Sequence, residues 1–112
     1  MRLQADGLAW ALLLTAGALE AVWALALKRS HGFTVLWPSL LGVTVAIVSL
    51  TMLTVALKHL PAGTAYAVWV GVGSVCVAVA GIALFGESAA PARLVCLGLI
   101  AGGVVGLKLL PQ

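Results

Sequence analysis

Four stretches of this chain are almost uniformly apolar, and short polar segments part them. They run from about Leu8 to Leu27, Ser39 to Leu57, Thr64 to Gly86 and Ala92 to Leu110. Each has the length of a helix that crosses about 30 Å of hydrocarbon, which takes roughly 20 residues. The segments between them, Lys28–Phe33, Lys58–Gly63 and Glu87–Pro91, carry Gly or Pro among polar residues, as loops do. Linkers this short make consecutive helices antiparallel neighbours. Arg93 and Lys108 fall near the ends of the fourth stretch, where long basic side chains reach the interface. The first stretch is too long for a cleaved leader, is interrupted by Glu20 and is followed by three more spans. The pattern predicts an all-α integral membrane protein, residues 1–112 forming one domain of four transmembrane helices.

Composition narrows the function classes. Hydrophobic residues make up 63% of the chain and charged residues 8%, with a mean hydropathy of +1.22. A soluble domain has about 45–50% apolar and about 25% charged residues, so a soluble fold is excluded. Disorder, which needs high charge and low hydrophobicity, is excluded too. The net charge of +3 rests on six scattered Lys and Arg that form no basic stripe, so no nucleic-acid partner is expected. No P-loop pattern is present, which argues against ATP-driven chemistry. No enzyme activity, cofactor or metal is expected. Cys76 and Cys96 lie in apolar runs without a CxxC pair and read as small buried hydrophobes. The partners left are the lipid bilayer and whatever the spans themselves bind.

Orientation follows the Lys and Arg residues near helix ends. Four spans put both termini on one side, with Arg2, Lys58 and Lys108; the other side holds Lys28, Arg29 and Arg93. The balance has two readings: a weak bias set by the residues nearest the ends, or insertion in both orientations with antiparallel pairing. In the fourth span Gly98, Gly102 and Gly106 make two overlapping GxxxG steps, a face for close dimer packing. A single bundle this small fills its own centre with side chains. Many transporters instead pair halves of inverted topology around a midplane site, and an antiparallel homodimer supplies that symmetry from one chain.

Glu20 is the one acid inside a span. A charge at that depth costs about 2.5–3.5 kcal/mol on insertion scales, which marks it as a functional candidate. Burial disfavours the ionised form of a carboxylate, so such an acid can exchange a proton for a cation. The structural alternative, a Glu bonded to a neighbouring helix, lacks a Lys or Arg partner in mid-membrane. Gly17 and Trp23 lie three residues to either side and share its face. That face offers a bare backbone, a carboxylate and an indole ring for a cation–π contact. Trp23 alone also fits lipid exposure or packing. Ser49 is polar at mid-depth in the second span and also fits a bond to its own helix backbone. Tyr66 and Trp69 repeat the three-residue spacing in the third span and also fit an interfacial belt. Gly71 and Gly73 suit a helix bend or a close crossing. His31 and His59 read as interfacial loop residues.

These residues resemble the small multidrug resistance transporters from about Leu8 to Leu110. The matching strings are Leu19–Trp23, Leu27–Phe33, Leu60–Trp69, Gly71-Val72-Gly73 and Leu84–Glu87. The Glu-x-x-Trp of the first helix, His31-Gly32-Phe33, Ala65–Trp69 and Gly86-Glu87 are similar to the family's guanidinium-exporting branch. The resemblance implies an antiparallel dual-topology homodimer that exchanges protons for guanidinium by alternating access, in the cell inner membrane. It makes Glu20 the shared proton and substrate carboxylate. It makes Trp23, Ser49, Tyr66 and Trp69 the surrounding shell, Gly17 the residue that leaves room for the ligand, and Gly71 and Gly73 the bend. The chain departs from the pattern in about seven extra N-terminal residues, in Ala26 where Gly is usual, and in Val70 where Thr is frequent. Rival readings are an exporter of bulkier quaternary ammonium compounds, a proteolipid subunit of a rotary ATPase, and a non-transporting assembly subunit.

Overall fold

The computed structural model describes the backbone of residues 2–110 and the side chains of residues 7–110. The side chains of Arg2 and Asp6 therefore lie outside the described residues. The chain forms α1 (Arg2–Arg29), α2 (Leu36–Ala56), α3 (Ala62–Phe85) and α4 (Pro91–Leu109). All four are long and apolar enough to cross a membrane, and the protein is a multi-pass membrane protein.

The helix ends follow local chemistry. α1 begins at Arg2 rather than near Leu8, because Arg, Leu, Gln and Ala are good helix formers although not all are apolar. It closes on Lys28 and Arg29, whose charges suit the negative end of the helix dipole. Ser30 then takes the chain out of the helix: its Oγ donates to the Leu27 carbonyl at 2.6 Å and accepts the Phe33 N–H at 3.1 Å. The turn passes through His31, Gly32 and Phe33 at φ 49°, 73° and 68°, a run of left-handed backbone. α2 starts at Leu36, so Trp37 and Pro38 belong to its first turn, where a missing N–H is tolerated. α3 stops at left-handed Gly86 (φ 65°), and the Glu87 N–H donates to the Gly81 carbonyl at 3.3 Å. Pro91 occupies the first position of α4.

The helices do not close into a compact bundle. The molecule measures 45 × 34 × 17 Å, and 17 Å is less than two helix diameters of about 10 Å. α1 packs along both α2 and α3, while α2 and α3 barely meet and α4 leans on α3. The expectation that consecutive helices are neighbours therefore fails between α2 and α3. Glycines explain the insertion of α1. A Cβ on Gly17 would lie 2.8 Å from the Val72 Cβ, and one on Gly42 would lie 2.6 Å from a Leu27 methyl. Where a side chain is missing, helix axes approach closely.

The core sits at one end. Ala9, Trp10, Leu13 and Ala16 of α1 pack with Leu53 and Ala56 of α2, Leu60 of the following loop, and Ala65, Val68 and Trp69 of α3. This is the end of the two termini, where the Lys108 ammonium also lies 5.1 Å from the Trp10 ring centre. Toward the opposite end α2 and α3 splay apart over α1. α4 buries none of its residues, so Cys96 on it is exposed, and Cys76 is half-buried. Neither cysteine is the buried hydrophobe that its apolar surroundings suggested.

Candidate functional site

Glu20 lies in α1 where that helix crosses α3. Its carboxylate rests against the backbone of Gly73, in the space that a Cβ at 73 would occupy. Gly17, one turn earlier, presses on Val72 and on the Gly73 nitrogen, 3.3 Å from where its own Cβ would be. The two glycines thus bring the helices together and leave a niche for the acid. Glu20 Oε1 is buried with no hydrogen-bond partner, and the Trp23 Nε1 one turn on is likewise buried and unpartnered. A buried polar atom left unbonded costs about 1–3 kcal/mol, so an orphaned pair calls for an explanation. A ligand rich in N–H donors would satisfy the carboxylate, and the indole offers its ring face.

Beside this pair a hydrogen-bonded chain ties three helices. Trp69 Nε1 donates to Ser49 Oγ at 3.0 Å, and Ser49 Oγ donates to the Ala16 carbonyl at 2.8 Å. Ser49 is fully buried and bridges α1, α2 and α3. The reading of Ser49 as bonded to its own helix is overturned. The neighbouring hydroxyls of Thr51 and Thr54 do take that bond, to Ile47 and Leu50. Trp69 is 8% exposed and so is a core residue, whereas Tyr66 is 58% exposed. Their rings meet at 5.7 Å with a 55° tilt.

The remaining glycines divide by surroundings. α3 is one uninterrupted helix, and a Cβ on Gly71 would meet Val104 of α4 at 2.6 Å, so Gly71 is a point of close approach. A Cβ on Gly98, Gly102 or Gly106 would meet nothing within 4 Å. The GxxxG face of α4 is thus open in the chain on its own.

Two features went unread in the sequence. Glu87 accepts from Lys28 Nζ and from Arg93, each at 3.2 Å, and so clasps the ends of α1, α3 and α4. These bonds hold its carboxyl below the usual carboxylate range. Lys28 Nζ and the Arg29 guanidinium also lie 4.4 and 5.2 Å from the Phe85 ring centre. The signal was there, since Lys28, Glu87 and Arg93 all fall on one side of the membrane. The second feature is an apolar groove of about 690 Å³ at the splayed end, between α2 and α3.

The model of the small multidrug resistance protein family matches residues 8–100. The chain belongs to the small multidrug resistance family. Relatives named guanidinium exporter in Citrobacter freundii and Salmonella thompson are 57% identical over 102 residues, covering 91% of this chain and 97% of each relative. One from Escherichia coli O6:H1, also named guanidinium exporter, is 56% identical over the same span. Membership of the small multidrug resistance family sets aside the proteolipid and assembly-subunit readings. Glu20, Trp23, Ser49 and Trp69 all lie inside the matched region.

Proposed function

We infer that this chain is a proton-coupled antiporter that exports guanidinium and small guanidinyl or quaternary ammonium cations. It works by alternating access as an antiparallel homodimer in the inner membrane. The names of its relatives support the substrate, and one observation carries the mechanism: Glu20 holds a buried, unpartnered carboxylate oxygen beside Trp23. Guanidinium is planar, permanently charged and only a donor, so it bonds a carboxylate bidentately and stacks on an indole. One Glu20 from each subunit faces a shared site, and the two carboxylates titrate as a unit. A proton and a guanidinium ion compete for them, and that competition couples the two fluxes. Ser49 and Trp69 hold the three helices that frame the site, Tyr66 closes its rim, Gly17 lets α3 approach closely beside the acid, and Gly71 and Gly73 let α3 bend as access alternates. Gly98, Gly102 and Gly106 pack against the partner.

The test is uptake of guanidinium into proteoliposomes under a pH gradient, with a quaternary ammonium compound run alongside. Wild type accumulates guanidinium against its gradient and releases protons when guanidinium is added. Glu20→Gln folds but does neither, and Glu20→Asp works with a shifted pH optimum. Transport by Glu20→Gln against a pH gradient would sink the mechanism.

A further inference from the structure

The apolar groove at the splayed end has a shape and a charge that the transport reading does not use. α1 forms its floor through Ala21, Leu25 and Arg29, while Trp37, Leu41 and Phe85 stand among its walls. From Ala21 to Arg29 the helix rises about 12 Å. One leaflet's share of about 30 Å of hydrocarbon is about 15 Å. The groove therefore runs from the membrane interface through most of one leaflet, and Arg29 is its only charged lining residue.

The charges around the mouth are unbalanced. Lys28, Arg29 and Arg93 gather there against Glu87 alone, and Glu87 is engaged by Lys28 and Arg93. Among the described residues no carboxylate pairs with Arg29, whose guanidinium stands 5.2 Å from the Phe85 ring centre. A guanidinium set at the interface over an apolar slot takes a phosphate bidentately. The surplus of positive charge disfavours a choline ammonium beside that phosphate, and it disfavours a cationic substrate. Basic pockets between transmembrane helices select anionic headgroups for this reason.

We propose that the groove between α2 and α3 binds one acyl chain of an anionic phospholipid, with the phosphate on Arg29. The experiment uses the full chain in phosphatidylcholine vesicles. Into these goes either brominated-chain phosphatidylglycerol or brominated-chain phosphatidylcholine at equal mole fraction. Quenching at Trp37 is read as the difference between wild type and Trp37→Phe. Phosphatidylglycerol should quench Trp37 severalfold more strongly. The preference should vanish in Arg29→Gln and persist in Arg29→Lys. Equal quenching by both lipids, or a preference that survives Arg29→Gln, overturns the proposal. Quenching by neither lipid overturns it in favour of a second copy covering the groove. A competition on wild type needs no variant: decyl phosphate should displace the phosphatidylglycerol and inorganic phosphate should not. Displacement by inorganic phosphate alone would leave the chain-binding slot without a role and overturn the assignment.

Discussion

A methyl group at position 73 would fall on the Glu20 carboxylate. Gly73→Ala should therefore push the acid out of its niche while leaving a better helix former in α3. Guanidinium binding, followed by calorimetry in detergent, should fall by about tenfold or more, which is about 1.4 kcal/mol. Trp23→Ala should weaken binding by about 1–2 kcal/mol, the scale of a desolvated cation–π contact, with proton binding largely kept. The hydrogen-bonded chain makes a separate forecast. Ser49→Ala strands the Trp69 N–H in a dry interior and takes the second bond from the Ala16 carbonyl, which keeps its helical one, so it should destabilise the fold by about 1–3 kcal/mol. Trp69→Phe removes the donor while Ser49 keeps its bond to Ala16, so its hydrogen-bond share of the loss should be smaller. Unfolding in mixed micelles orders the two. Glu20 was legible in the sequence because an acid stands out in an apolar run. The three-helix role of Ser49 was not, because a serine hydroxyl in a membrane helix finds its own backbone as readily as a neighbour. Only the register between helices decides, and no single span encodes that register.

At the scale of the helices, the clasp at Glu87 should respond to pH. Its carboxyl is held below the ordinary range by Lys28 and Arg93. A group lowered on folding stabilises above its unfolded value and loses that contribution as pH falls through the folded one. The ends of α1 and α4 should thus loosen from α3 in acid, below the ordinary titration of glutamate. Spin labels on the loops before α2 and α4 should report a distance change there, and Glu87→Gln should abolish its pH dependence at the cost of a loosened end at every pH. The four spans were legible from length and hydropathy alone, to within a few residues except at the start of α1. Which helices touch was not. Short linkers put α2 beside α3, yet Gly17, Gly42 and Gly73 draw α1 between them. Glycines say that an approach is close without saying whose.

At the scale of the molecule, the even split of Lys and Arg predicts insertion in both orientations. Arg2, Lys58 and Lys108 stand against Lys28, Arg29 and Arg93. A C-terminal tag should be labelled from both sides of the membrane in intact cells; labelling from one side alone contradicts it. Two or three lysines added after Gln112 should fix one orientation and abolish transport, which an oppositely biased copy restores. In the proposed homodimer Gly102→Leu should separate the subunits without unfolding them, because a side chain there has open space in the single chain and would hold off a helix packed on a GxxxG face. Mass measurement in detergent checks this.

The one-ended core also sets how the protein yields to force. α4 leans chiefly on α3, touches α1 through Lys108 over Trp10 and buries no residue, while Trp10, Leu13, Leu53 and Val68 lock the first three helices at the terminal end. A single molecule drawn out of the bilayer by its C-terminus should give up α4 in an early, low-force step. The other three should then resist until the knot of side chains around Leu13 breaks, and release together rather than one by one.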